Sequence, residues 1–218
     1  MLLKQMKYFI TIVDCHSFTE AAEQCFISQS AISQQIKSLE KELGIRLFER
    51  NKRHFSLTPA GEYFYRHGKV ILDEIEDPHN LGAIIRTAET AGVHGIIIPK
   101  RRAASVNSTV SKVSAGAVQY MKIARVNNLN ETIRFLKEND VWICGTDMDA
   151  TKYYYQESYK GPIAVVIGSE GLGMSRLVKE NCDFLVKIPM KGKITSLNAS
   201  VSAGIVMYEA TKQRLQKQ

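Results

Sequence analysis

The run Ala164-Val165-Val166-Ile167-Gly168-Ser169-Glu170-Gly171-Leu172-Gly173 decides the fold. Its first four residues are apolar and mostly β-branched, the pattern of a strand buried on both faces. The remaining six form a glycine-rich turn carrying one carboxylate, set where a strand hands over to a helix. Open α/β sheets hold their ligands at such positions. The turn is not a dinucleotide fingerprint, because Arg176 stands where the third glycine would be. Nor is it a phosphate-binding P-loop, since no Gly-Lys-Ser/Thr stands at the right distance beyond it.

The same texture repeats on either side. Apolar runs stand at Val70-Ile71-Leu72, Gly95-Ile96-Ile97-Ile98, Val141-Trp142-Ile143-Cys144 and Phe184-Leu185-Val186-Lys187-Ile188. Between them lie segments with helical spacing, Leu81 to Ala91, Leu129 to Glu138 and Leu172 to Asn181. This alternation predicts an α/β domain, a parallel sheet covered by helices on both faces. A last helix from Leu197 to Leu215 opens on Ala199, Ser200, Ser202, Ala203 and Gly204, small residues suited to close packing or a dimer face. Two further stretches place polar groups at strand-to-helix handovers: Asp77-Pro78-His79-Asn80-Leu81-Gly82 running on to Arg86, and Ile188-Pro189-Met190 running on to Ser196-Leu197-Asn198.

The first third reads differently. Met6, Phe9, Ile10 and Val13 define one amphipathic helix. Ser17-Phe18-Thr19-Glu20 is a capping box opening a second helix that turns Ala21, Ala22 and Cys25 inward. Ser28 caps a third helix, which buries Ile32, Ile36, Leu39 and Leu43 and stops at Gly44. Its other face presents Ser30, Ser33, Gln34 and Lys37, hydrogen-bonding side chains near a helix N-terminus, as major-groove readers have. Leu47 to Leu57 reads as a basic β-hairpin whose Arg50, Lys52 and Arg53 are placed for phosphates or the minor groove. The helices, the turn Ile27 to Ser33 and the run Leu39 to Arg50 through Leu57-Thr58-Pro59-Ala60-Gly61-Glu62 closely resemble the N-terminal domain of LysR-type transcriptional regulators. That resemblance covers about residues 1–68 and implies an all-α winged helix-turn-helix domain that binds double-stranded DNA. The effector-binding domain of that family has no counterpart, so co-inducer sensing of that kind is not expected.

The three stretches of the remainder resemble the SpoU/TrmH family of SPOUT methyltransferases, over about residues 70–214. The first motif of that family stands as Asn80, Gly82 and Arg86, the second as Gly168 to Gly173, and the third as Ile188-Pro189-Met190 through Ser196-Leu197-Asn198. The resemblance implies a trefoil-knot α/β domain over 69–218, a feature no composition argument predicts, since knots are nearly absent elsewhere. It implies S-adenosylmethionine as cofactor, held by Gly168, Gly171, Ile188 and Leu197 with Gly145 and Thr146 nearby. It implies methyl transfer to a ribose 2′-hydroxyl of RNA, ribosomal RNA in the branch most similar. Arg86 would act at the ribose or its phosphate, with Asn80, Glu170, Ser196 and Asn198 orienting the parts. A guanidinium is a poor base, so positioning and charge stabilisation are the favoured role of Arg86. Both families imply a homodimer.

Bulk numbers fit a polyanionic partner. The 218 residues carry a net charge of +7, with 9 Lys+Arg against 7 Asp+Glu up to Gly68 and 20 against 15 beyond it. Arg101 and Arg102, after a strand end, are candidates for RNA phosphates, and Tyr153, Tyr154, Tyr155 and Tyr159 for stacking on bases. Cys15, Cys25, Cys144 and Cys182 show neither paired nor metal-ligand spacing, so no metal is expected and the cytoplasm is the expected compartment. No long apolar run predicts a membrane span. Residues 70–76 fit either the first strand of the sheet or an extension of a linker helix, and the sheet's need for a strand favours the former. Three readings of the whole stay open: an RNA 2′-O-methyltransferase with an exchanged nucleic-acid-binding head, a DNA-binding regulator using the knotted domain for dimerisation or S-adenosylmethionine sensing, and a recombined chain whose halves do not cooperate.

Overall fold

The computed structural model describes residues 2–50, 55–61 and 68–215. The chain divides into two compact units, the first formed by residues up to His67 with Lys160–Pro162, the second by Gly68–Tyr159 and Ile163–Gln216.

In the first unit, helices α1 (Leu2–Cys15), α2 (Phe18–Gln24) and α3 (Gln29–Leu43) precede the antiparallel pair β1 (Phe48–Arg50) and β2 (Phe55–Leu57). Local chemistry sets the helix ends. The Ser17 side chain accepts from the Glu20 amide at 3.2 Å and that of Ser28 from the Ala31 amide at 3.2 Å, so two orphan donors are capped. Gly44 ends α3 in the left-handed region at φ 68°. Phe9, Ile12, Ala21, Ala22, Ile32, Ile36 and Leu39 fill the core with Leu47 and Phe48. Phe48 meets Phe18 and Phe55 with ring centroids 5.4 and 5.2 Å apart, which seats the hairpin on the helices. The Glu40 carboxylate accepts from the Leu47 and Phe48 amides at 2.8 and 3.1 Å, fixing where the chain turns into β1. The side chains of Met6, Ile10 and Leu43, which the sequence turns inward, lie outside the described residues.

In the second unit, among the described residues, seven parallel strands make one sheet: β3 (Gly68–Leu72), β4 (Gly95–Pro99), β5 (Ile123–Val126), β6 (Trp142–Thr146), β7 (Lys152–Tyr153), β8 (Ile163–Ile167) and β9 (Phe184–Lys187). Their order is β5-β4-β3-β8-β6-β9-β7. Helices α4 (Pro78–Thr90), α5 (Ser108–Val113), α6 (Leu129–Glu138), α7 (Arg176–Asn181) and α8 (Ala199–Leu215) cover it. Alternation along β3 splits the core in two. Val70 and Leu72 pack with Ile84 and Ile85 of α4 and Ala203 and Val206 of α8, while Ile71 packs with Ile133 and Leu136 of α6 and Val178 of α7. Residues 68–72 are strand, paired with both β8 and β4, whereas 73–76, expected to continue it, are neither strand nor helix. Among the described residues no helix is long and apolar enough to cross a membrane.

Three expectations are corrected. The helix after the glycine-rich turn starts at Arg176 rather than Leu172, because the backbones of Ser169 and Gly173 pair and hold Leu172 at the tip of the turn, 88% exposed. The last helix starts at Ala199, since the Asn198 side chain caps it by accepting from the Ser200 and Val201 amides at 2.9 and 3.3 Å. The first helix of this unit starts three residues early, at Pro78, behind an Asp77 cap.

Candidate functional site

The strand order reverses between β3 and β8, and the C-terminal ends of β6, β8 and β9 open on one side of that point. Ligand crevices form there in open sheets. The crevice here is a cavity of about 690 Å³, within the range of small-molecule sites. Thr146 contributes from β6, Ile167 to Met174 from the turn after β8, and Lys187 to Lys191 with Thr195 to Leu197 from the loop before α8.

The backbone of the turn decides who can stand in it. A Cβ on Gly168 would lie 2.2 Å from the Gly173 carbonyl carbon and 2.3 Å from the Met174 nitrogen, so only glycine fits. Ser169 and Gly173 exchange backbone hydrogen bonds of 3.0 and 2.9 Å, and Gly173 sits at φ 69°. Gly171 is different: a Cβ there meets nothing within 4 Å, so the turn does not need glycine at that position for space.

Glu170 organises the polar side of the cavity. One carboxylate oxygen accepts from the Asn80 amide at 2.8 Å, from the Asn198 amide, and from the Ala199 backbone nitrogen at 3.3 Å. The Asn198 side-chain amide also donates to the Asn80 side-chain oxygen Oδ1 at 2.9 Å. Asn80 stands in the first turn of α4 and Asn198 caps α8, so one anion joins two helix N-termini, where negative charge is stabilised. Asn80 is buried at 7% exposure, which makes these partners obligatory for it. Three of the five residues expected to do chemistry thus meet in one network, and Ser196 stands on the cavity wall.

Arg86 does not join them. It is exposed on α4, lines neither this cavity nor a smaller neighbour, and has no side-chain partner among the described residues. The cofactor positions do gather: Thr146, Gly168, Gly171, Ile188 and Leu197 all line the cavity. Ile188 also packs against the main core, so it is wall and core at once. The Thr146 hydroxyl donates to the Val166 carbonyl at 3.1 Å, which ties β6 to β8. Gly145 lies behind the wall, where a Cβ would meet Leu185, Met174 and Cys182 within 2.8 Å.

Three groups escaped sequence reasoning. Asp73, directly after β3 and 3% exposed, accepts from the Ser175 amide at 2.7 Å and so anchors the start of α7. On the cavity wall Asp147 pairs with Lys179 at 2.7 Å, and that hydrogen bond raises the Lys179 pKa. The two aspartates had a positional signal, a carboxylate one residue past a strand, which is where such sheets bind; Lys179 had none. Burial pushes the Cys144 thiol far up and that of Cys182 up to about 12, which favours the protonated form of both.

Of the expected nucleic-acid contacts, Ser30 and Gln34 are exposed and Ser33 half-buried on α3. The Arg50 side chain, Lys52 and Arg53 lie outside the described residues. Arg101 is exposed, whereas Arg102, at φ 52°, is already paired with Glu74 at 3.0 Å, and that contact raises its pKa.

A parallel sheet with a glycine-lined crevice at its reversal point, flanked by an Asn-Glu-Asn network, defines the class. Residues 68–208 match the SpoU rRNA Methylase family, and the chain belongs to that family. Residues 3–62 match the bacterial regulatory helix-turn-helix proteins of the lysR family. The chain is 56% identical to the TrmH family protein YacO of Bacillus subtilis over 145 residues, 66% of this chain and 58% of that protein. It is 51% identical to the 23S rRNA (guanosine-2'-O-)-methyltransferase RlmB of Vibrio parahaemolyticus over 146 residues, 67% of this chain and 59% of that one. The crystal structure of the SpoU methyltransferase AviRb from Streptomyces viridochromogenes with AdoMet superposes with a TM-score of 0.66 at 30% identity, covering 70% of this chain and 62% of that chain. The chain therefore spans under two thirds of the length of these relatives.

Proposed function

We propose that the chain is an S-adenosylmethionine-dependent RNA ribose 2′-O-methyltransferase with a trefoil-knotted cofactor site, carrying a nucleic-acid-binding winged helix at its N-terminus. The observation that carries this reading is the Glu170 carboxylate holding Asn80 and Asn198 together beside a 690 Å³ cavity. The residues fit the cofactor: Gly168 lets the Gly173–Met174 backbone fold back against it where any Cβ would collide, which shapes the tight turn lining the cavity. Gly171, Thr146, Ile188, Ser196 and Leu197 would complete the holding surface. When bound, S-adenosylmethionine supplies an electrophilic sulfonium methyl group.

The chain's own residues do the remainder. Glu170 and Asn198 fix the turn and the loop before α8 relative to α4, so the cavity wall is preorganised. Arg86, which is not part of that wall, would act on the acceptor side, at the ribose hydroxyl or its neighbouring phosphate. A guanidinium holds its proton to a pH above about 12, so its contribution is alignment and charge rather than proton abstraction. RNA is the partner, with ribosomal RNA favoured by the RlmB relative. A homodimer belongs to this reading, and α8 exposes Val201 and Tyr208 at 48% and 50% for such a face.

Calorimetry with S-adenosylmethionine, paired with transfer of labelled methyl to RNA, tests it. The chain should bind the cofactor; Asn198→Ala should weaken binding, and Arg86→Ala should abolish transfer while binding persists. Absence of cofactor binding by the unmodified chain defeats the reading. The lysR-family match and the exposed Ser30 and Gln34 on α3 favour a second reading, a DNA-binding regulator that senses S-adenosylmethionine. Cofactor binding without transfer to any RNA, together with sequence-selective duplex binding lost in Gln34→Ala, would establish that one instead.

A further inference from the structure

The four tyrosines between β6 and β8 do not share one fate. Tyr159 is fully buried and Tyr154 packs against the main core, so both are structural. Tyr153 and Tyr155 stay at the surface, their rings 5.5 Å apart between centroids and 10° from parallel, and Tyr155 is 49% exposed. Their geometry is held from several sides. Tyr154 meets Tyr155 edge-on at 5.2 Å, and the Tyr153 amide donates to the Gln156 side chain at 2.8 Å, closing the short turn that carries them. Tyr153 lies in β7 beside Lys187 of β9, whose ammonium sits 5.3 Å from the ring centroid. Tyr153 and Lys187 both line the main cavity.

A pair of half-exposed, parallel tyrosines normally reads as surface packing. Here the neighbours argue for a ligand. Thr151, Lys152 and Gln156 are exposed and polar, so the rings do not belong to an apolar patch of the kind a protein partner covers. What they offer is a π-face with a cation alongside, at the rim of the crevice and in a sequence with 20 Lys+Arg against 15 Asp+Glu from Lys69 onward. Unpaired bases stack on such surfaces while basic groups hold the backbone.

We propose that Tyr155, backed by Tyr153, is a stacking platform for an unpaired base of the RNA substrate. This rests on the reading of the second unit as an RNA methyltransferase. Tyr155 would be a substrate-positioning residue with no part in holding the cofactor.

The test uses the full chain and two labelled probes of equal length, an oligoadenylate and its abasic counterpart, read by fluorescence anisotropy. The unmodified chain should prefer the oligoadenylate. Tyr155→Ala should lower affinity for it by about 5-fold to 150-fold, the span of one lost base stack, and leave the abasic probe unchanged. Tyr155→Trp, with a larger π-face, should match or exceed the parent, and calorimetry with S-adenosylmethionine should be the same for all three proteins. Equal oligoadenylate binding by Tyr155→Ala and parent overturns the platform, as does a Tyr155→Trp protein that loses as much as Tyr155→Ala. If the chain methylates RNA yet Tyr155→Ala binds and reacts unchanged, only the platform fails. If the chain binds neither cofactor nor RNA, the methyltransferase reading fails with it.

Discussion

The Glu170 carboxylate accepts the Asn80 amide at 2.8 Å across 90 residues of sequence. Because Asn80 is buried at 7% exposure, removing its acceptor leaves a largely buried donor unpaired. Such a loss costs about 1–3 kcal/mol. Glu170→Ala should therefore destabilise the second unit by that amount. Glu170→Gln, which keeps an acceptor oxygen but loses the charge shared by two helix N-termini, should cost less. The single tryptophan, Trp142, lies in β6, so its fluorescence in urea follows this unit alone. Equal stability of Glu170→Ala and parent would show that the network is not needed to hold the unit together.

Gly168 and Gly171 stand three residues apart in one turn and should behave oppositely. A methyl at Gly168 meets backbone at 2.2 Å, where no side chain can move aside, while one at Gly171 meets nothing within 4 Å. Gly168→Ala should abolish S-adenosylmethionine binding and lower the urea midpoint read at Trp142. Gly171→Ala should change stability by no more than about 0.5 kcal/mol. Matching behaviour of the two variants would remove the close-approach argument for the crevice.

Local features were the legible ones in the sequence. The apolar run before Gly168 read as a strand because a strand buried on both faces has no polar alternation, and β3, β4, β6 and β9 were legible in the same way. β5 was not, since it is an edge strand carrying the exposed Arg125, and β7 has only two residues. The short helix α5, Ser-Thr-Val-Ser-Lys-Val, buries Val110 and has too few turns to show a period. Leu172 was misplaced because its spacing fits a helix, while the Ser169–Gly173 pairing that overrides it is a backbone effect. At the site, residue types were readable from the motifs. The closure of Glu170 on Asn80 and Asn198 was not, because it depends on how the sheet stacks segments distant in sequence.

Arg101 and Arg102 are neighbours with different partners. Arg102 is held by Glu74 at 3.0 Å, so its charge is already partly answered, whereas Arg101 has no partner among the described residues. Arg101→Ala should reduce the slope of log affinity against log salt for single-stranded RNA by about 0.7, one phosphate contact. Arg102→Ala should reduce it by less. Anisotropy titrations across a salt series separate the two. A larger slope change for Arg102→Ala would mean that the Glu74 pair opens when RNA binds.

Asp77 caps α4, and its carboxylate accepts from the His79 amide at 3.0 Å. That backbone hydrogen bond comes first among the causes that hold its pKa below the ordinary 3.8. A depressed carboxylate stabilises the fold fully above its unfolded pKa and loses that contribution as pH falls through the folded value. The cap should therefore contribute at neutral pH and fade only below about pH 4. Asp77→Ala should cost about 1 kcal/mol at pH 7, as N-cap truncations do, and Asp77→Asn much less, since asparagine caps equally well. Below that pH the gap between parent and Asp77→Ala should narrow, while the gap between Asp77→Asn and Asp77→Ala should stay constant. Urea denaturation followed at Trp142, at pH 7 and near pH 3, reads both gaps. A parent advantage over Asp77→Ala that persists undiminished in acid would assign the cap to something other than the ionised carboxylate.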